Sequence, residues 1–384
     1  MVREIEKASS RIFCLGVIVL TIGRTVHATA GPDLLTIDLS TDESRHVIIA
    51  QGDAETYQGH PTTVLMPDNK TMYCVWTIGH GGACGPMARS RDSGKSWQRM
   101  DDQLPASWKT VRNCPTIYRL KDPAGKERLF VFAGQDEKGY MTQSFSEDGG
   151  LTWSEMSSNG LRAVMPFCWI IPIDGGKRLL GMTNVRRPGE TKEAKSNVVA
   201  QSISDDGGFT WTPWNIVADV RGKKAAEPFM LRSPDGQEIC CIMREQNHTG
   251  PSLMMFSEDE GKTWSDPVDT PWGLTGDRHM GVQTKDGRWV IAFRDMAQDS
   301  PTRGHFVAWV GAYDDIRNAN PGQYRIKLLH SYKGSDCGYP GMEIFPDDTI
   351  LATTYIKYRP GSERHSVVSV RFNLKDTDAK LSKK

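Results

Sequence analysis

Six copies of one strand start hold residues of very different chemistry. The segments HPTTVLM from His60, CPTIYRL from Cys114, MPFCWII from Met165, EPFMLRS from Glu227, RHMGVQT from Arg278 and YPGMEIF from Tyr339 each open an apolar run. Each run leads through a Pro, Asp or Gly turn into a second apolar run. Equivalent positions that hold a His, a Glu, an Arg and a Tyr cannot all serve packing. Near the ends of the second runs come Arg244 and Arg294, with Trp76, Gln135, Asn184 and Tyr355 in the other copies. Guanidiniums are planar, permanently charged forks suited to bidentate binding of a carboxylate. An acid beside a phenol is suited to proton transfer and nucleophile activation. The plainer alternatives are ion pairs of Arg244 and Arg294 with the adjacent Glu245 and Asp295, and a half-buried strand aromatic at Tyr339.

What brings these positions together is a second repeat. Four octets, SRDSGKSW ending at Trp97, SEDGGLTW at Trp153, SDDGGFTW at Trp211 and SEDEGKTW at Trp264, share the pattern SxDxGx[ST]W. A fixed period of this length marks units that must stack to bury their apolar faces. Within an octet the Asp carboxylate can accept from backbone N–H groups ahead of it, and the Gly accepts a positive φ. The Trp then re-enters a strand and fills a buried face. Strand-rich units with frequent turns predict an all-β chain closed as a six-bladed β-propeller of four strands per blade. A fifth octet has decayed to AYDDIRNANPG from Ala312. The stretch from Leu34 to Gln51 precedes the first unit and is expected to supply the outer strand of the last blade, removing the open edge. First strands line the axial channel of a propeller, so the six strand starts are expected to meet at one rim.

The octet is the Asp-box, and over residues 55–372 the chain resembles the sialidase superfamily, whose members carry it between the third and fourth strands of propeller blades. The resemblance implies a sialidase-like glycoside hydrolase acting on a terminal acidic sugar. It implies a tyrosine nucleophile, because the anomeric carboxylate of a sialic acid repels a carboxylate one, and sialidases are the tyrosine exception among glycosidases. The family's acid-headed strand with an arginine one hairpin later is matched by Glu227 and Arg244, and its late tyrosine by Tyr339. The roles implied are Tyr339 as nucleophile, Glu227 as its base, Arg244 as a carboxylate ligand, and Arg278 or Arg294 as a second. Two departures stand out. Where the family opens its first blade with an arginine, this chain has Gly59-His60-Pro61, and His60 is left as a weaker anion contact. Residues 77–88, where the family carries its acid/base aspartate, hold no carboxylate; His80 is the candidate for proton transfer there. The alternatives are His/Tyr chemistry, hydrolase or lyase, on a uronate-containing polysaccharide, and a noncatalytic glycan-binding propeller.

Composition narrows the rest. Formal charge is zero, which gives no global field for nucleic acid. Arg3, Lys7 and Arg11 precede an apolar run from Ile12 to Gly23, and Ala28-Thr29-Ala30 supplies a cleavage site. Residues 1–30 are therefore expected to be a signal peptide, 31–384 a single propeller domain, and the mature protein secreted or periplasmic. No later run is long enough to span a membrane. The cysteines lack metal-ligand spacing; no metal or organic cofactor is expected, and the expected partner is a glycan bearing an anionic sugar.

Overall fold

A computed structural model describes residues 34–190 and 197–382; the expected signal peptide lies outside them. The chain forms a six-bladed β-propeller. Blade I comprises Gln58–Leu65, Met72–Ile78, Met87–Ser90 and Gln98–Arg99; blade II, Thr116–Lys121, Glu127–Ala133, Tyr140–Ser146 and Ser157–Arg162. Blade III comprises Trp169–Ile173, Arg178–Arg186, Asn197–Ser204 and Asn215–Ala218; blade IV, Ala225–Arg232, Ile239–Glu245, Leu253–Ser257 and Val268–Asp269. Blade V comprises Gly276–Gln283, Trp289–Asp295, Phe306–Gly311 and Tyr324–Leu329; blade VI, Cys337–Ile344, Ile350–Ile356 and Ser366–Phe372. The outer strand of blade VI is His46–Ala50, antiparallel to Ser366–Phe372, as expected from the sequence. Thr36–Asp38 instead adds a fifth, parallel strand to blade V. Ring closure is tight between blades VI and I: a Cβ on Gly341 would stand 2.3 Å from Thr63 Oγ1.

The octets show why the repeat carries these residue types. In the second, Asp148 Oδ1 accepts from the backbone N–H of Leu151 and Thr152, Thr152 Oγ1 donates to Asp148 Oδ2, and Trp153 Nε1 donates to Gly150 O. Each tryptophan then packs on the preceding blade. Trp97 meets the cluster around Met72, Phe345 and Leu351, Trp153 that around Tyr73 and Val75, Trp211 that around Phe130 and Phe132, and Trp264 that around Leu180 and Met182. The octet is thus a staple between blades. Where it has decayed in blade V, the helix Tyr313–Arg317 takes over, with Tyr313 and Ile316 packed against Phe229, Cys240 and Phe256 of blade IV.

Gly150 needs its glycine twice over, for φ +92 and because a Cβ would meet Tyr73 Cζ at 2.4 Å. Gly149 has φ +74 but open space beside it. Gly150→Ala should therefore cost about 2–4 kcal/mol, combining strain with overpacking, and Gly149→Ala only about 1 kcal/mol. Urea denaturation of the two variants checks this; equal losses would mean that contact with the preceding blade is unimportant.

Further along the first strands a cavity of about 230 Å³ is bounded by Thr63, Thr116, Trp169, Met280 and Glu343. Burial pushes the Glu343 carboxyl up from 4.5 to about 7, against the opposing hydrogen bond from Thr63. The folded protein therefore holds a proton that the unfolded chain releases, so stability falls as pH rises from about 4.5 to about 7 and is level above that. Glu343→Gln should remove this slope and raise stability at pH 8 by about 2–3 kcal/mol, read from urea titrations at pH 5 and pH 8.

Candidate functional site at the axial rim

The rim is built by a shared backbone device. His60, Cys114, Glu227, Arg278 and Tyr339 all adopt left-handed φ, between 45° and 55°. In blades I, IV, V and VI the pairing register slips across these residues, between Gly59 and Thr62, Ala226 and Phe229, Asp277 and Met280, and Gly338 and Gly341. Two residues there stand opposite one on the second strand, a bulge that re-aims the first side chain. Pro61, Pro228 and Pro340 occupy the unpaired second position, where a missing N–H costs nothing. Five non-glycine residues in this region store strain of roughly 1–3 kcal/mol each, concentrated where the side chains converge. Met165 is not among them; it packs with Cys114 and Cys168 under Tyr339.

At the centre Tyr339 donates its phenolic proton to Glu227 Oε1 at 2.5 Å. Glu227 is 4 % exposed, and its Oε1 also accepts from Arg244 Nη1 at 3.1 Å, while Oε2 has no hydrogen-bond partner among the described residues. Burial, and then the nearby Glu227 charge, holds the Tyr339 phenol well above its ordinary value. Arg278 lies with its guanidinium carbon 5.4 Å from the Tyr339 ring centre. It is 2 % exposed, and neither Nη1 nor Nη2 has a hydrogen-bond partner among the described residues.

Asp277, 1 % exposed, organises the other two arginines. It sits directly across the hairpin from Arg294 and accepts from Arg294 Nε at 3.0 Å and from Nη2. Arg244 Nε lies 2.9 Å from Asp277 Oδ1, and His248 Nε2 is within 2.9 Å of the same oxygen. Burial alone would raise this carboxyl, but the Arg294 and Arg244 charges and the His248 hydrogen bond hold it below the ordinary range. Arg294 also donates to Ser335 O and Cys337 O. The adjacent-residue pairing considered from sequence does not form: Asp295 pairs with the buried Arg325, and Glu245 accepts from the backbone of Asn247 and Thr249.

On the blade VI–I side, His60 packs edge-on to Tyr339 with ring centres 4.4 Å apart and to His80 at 4.6 Å. Its Nδ1 accepts from Gly81 N at 3.0 Å, and burial, with His80 next to it, depresses its pKa well below the ordinary value. His60 is therefore neutral. His80 is the exposed member; its Nδ1 lies 3.2 Å from Tyr57 Oη and 3.4 Å from Asp336 Oδ1. Asp336 also receives Tyr57 at 3.0 Å and Tyr355 at 3.2 Å, with His365 3.2 Å from its other oxygen. Burial opposes ionisation of Asp336, but the His80 hydrogen bond, the His365 charge and the Tyr57 hydrogen bond hold it at about 2. A carboxylate absent from residues 77–88 is thus delivered from blade VI.

The structure brings Tyr339, Glu227, Arg244 and Arg278 into one cluster, with Arg294 joined through Asp277, His60 packed on the phenol ring and His80 packed on His60. Sequence reasoning passed over Asp277 and His248. A signal existed for Asp277: the residue before the rim position is Gly59, Ala226 and Gly338 in blades I, IV and VI, and only blade V puts an acid there. Trp76, grouped with the rim from sequence, is buried one residue below it, where Nε1 donates to Gln58 Oε1; Thr77 is the register equivalent of Arg244 and Arg294.

Fold and rim together define a sialidase-type six-bladed β-propeller. Residues 113–347 match the model of the BNR repeat-like domain, and the chain belongs to that family. No curated protein matches it in sequence. Among solved structures it is similar to a protein of unknown function from Dyadobacter fermentans, with TM-score 0.65, 16 % identity and 85 % and 97 % of the two chains covered. It is also similar to an α-L-arabinofuranosidase of Fusarium graminearum bound to an iminosugar inhibitor, with TM-score 0.63, 13 % identity and coverage of 86 % and 98 %. The intramolecular trans-sialidase of Ruminococcus gnavus gives TM-score 0.58, 15 % identity and coverage of 86 % and 97 %. At these identities the likeness establishes the fold.

Proposed function

We propose that the protein is a retaining glycoside hydrolase that removes a terminal acidic sugar, sialic acid or a related sugar acid, from a glycan. The observation that carries this reading is the 2.5 Å hydrogen bond from Tyr339 to Glu227 within a buried cluster of surplus positive charge. Glu227 takes the phenolic proton as the Tyr339 oxygen attacks the anomeric carbon, and the glycosidic bond breaks with a proton supplied to the leaving oxygen by His80. His80, whose Nδ1 is engaged by Tyr57 and Asp336, then takes a proton from the water that cleaves the tyrosyl glycoside, and Glu227 returns its proton to the departing Tyr339 oxygen. Two displacements return the original anomeric configuration. Three guanidiniums face two carboxylates, Glu227 and Asp277, and the one whose Nη1 and Nη2 both lack a hydrogen-bond partner among the described residues is Arg278. An anionic substituent on the reacting sugar supplies the missing countercharge, and a sugar hydroxyl can donate to the open Glu227 Oε2.

A second reading, a neutral sugar, is favoured by Asp277, which already occupies Arg244 and Arg294 with a carboxylate of the protein's own. Fluorogenic sialosides, glucuronides and arabinofuranosides separate the two. Turnover of an acidic glycoside alone supports the first, turnover of the arabinofuranoside alone supports the second, and turnover of none with retained glycan binding would overturn the hydrolase.

A further inference from the structure

A groove of about 910 Å³ runs between the outer parts of blades II and III, and one of its residues, Val164, ties its wall to the axial rim. Val164 borders the groove and packs with Tyr339 on the Cys114, Met165 and Cys168 cluster. Asn113, next to the rim residue Cys114, donates to Val164 O at 2.6 Å. A chain of bridges, Ile78 to Ala83, Ala83 to Arg112 and Arg112 to Gln135, ties the His80 loop to the groove wall. The His80 loop and the groove wall thus share one piece of backbone.

The wall is cationic. Arg112, Lys138, Arg162 and Arg186 line it, against Asp136 and Glu137. Asp136 is spent on its own turn, accepting from Lys138 N and Tyr140 N. Arg162 is held with its guanidinium 4.0 Å from the Tyr140 ring centre and donates to Lys138 O at 2.8 Å. Trp214, also in the lining, is anchored by its indole N–H to Arg162 O at 2.8 Å. Cations beside an indole, one of them anchored, suit a chain of sugar rings that carry negative charge, the rings stacking and the charges pairing.

We propose that this groove holds the leaving-group side of an extended polyanionic glycan, so that the substrate is charged beyond the residue that is released. The inference rests on the hydrolase reading for the direction of the chain, but not for binding. The test uses full-length protein with Tyr339→Phe, which prevents turnover, and calorimetric titration with a galacturonate tetrasaccharide and with the neutral maltotetraose. The galacturonate should bind, the maltotetraose should not, and high salt should weaken binding. Arg112→Ala with Lys138→Ala, two exposed side chains, should weaken galacturonate binding at least tenfold. Unchanged affinity in that double variant, or equal binding of the neutral tetrasaccharide, overturns the proposal. Hydrolysis persisting in Tyr339→Phe would sink the catalytic reading while leaving the groove result intact.

Discussion

Tyr339→Phe is expected to lower kcat on an acidic aryl glycoside by at least a thousandfold while leaving the fold intact. The change deletes one oxygen, which donates to Glu227 Oε1, and that carboxylate oxygen keeps Arg244 Nη1 as a donor. No charge is stranded, so the stability loss should stay near 1 kcal/mol, the worth of one hydrogen bond. The chemical loss is far larger, because the nucleophile itself is gone; the phenyl ring can neither accept the glycosyl group nor pass a proton to Glu227. Glu227→Gln should be nearly as damaging to turnover, and it will also destabilise, since the positive charge of Arg244 and Arg278 then lacks one of its two buried countercharges. A fluorinated sugar that slows the second displacement should leave a glycosyl adduct on the peptide carrying Tyr339, detectable by mass spectrometry in the parent and absent in the variant. Retention of a tenth or more of the parent activity by Tyr339→Phe would rule out the phenol as nucleophile.

How much of this was legible beforehand depends on whether a feature is periodic. The octets and the strand starts recur, so blade number, the closing strand and the shared rim of His60, Glu227, Arg278 and Tyr339 could be read from spacing. Spacing places Tyr339 and Glu227 on the same rim, since both open innermost strands, but the pairing of these two among the six was implied by the family resemblance. The six segments read as regular strand starts, whereas Pro61, Pro228 and Pro340 within them occupy a bulge; propensity reports the missing N–H but not the register slip that removes the need for it. Asp277 and Asp336 were harder to read because they act across blades. Asp336 reaches His80, Tyr57, Tyr355 and His365, contacts that no local pattern encodes. The same holds for the pairing of Arg294, where the sequence neighbour Asp295 loses to the cross-strand Asp277. Strand alternation accounts for this, because adjacent residues point to opposite faces and Asp295 is turned toward Arg325.

Asp277→Ala is expected to destabilise the protein by about 3–5 kcal/mol, the usual cost of removing one partner from a buried ion pair. The wild-type carboxylate is 1 % exposed and serves Arg294, Arg244 and His248 at once. Without it three guanidiniums share a single countercharge, Glu227. The depressed pKa of Asp277 gives the sign with pH: its stabilisation is present above the unfolded carboxylate value near 4 and is lost as pH falls below that. Wild type and variant should therefore converge in acid. The alanine also leaves a space shaped for a carboxylate between two guanidiniums, so acetate or formate should refill it and restore stability in proportion to RT ln(1 + [L]/Kd), with chloride at equal ionic strength as the control. Urea titrations with and without acetate measure this directly. Recovery with acetate alone would show that Arg244 and Arg294 are a carboxylate receptor filled from within, and would leave Arg278 as the cation that an incoming acidic sugar must find. A variant as stable as the parent, or one rescued equally by chloride, would show that Asp277 holds neither arginine in place, and the charge argument for an acidic substrate would fall with it.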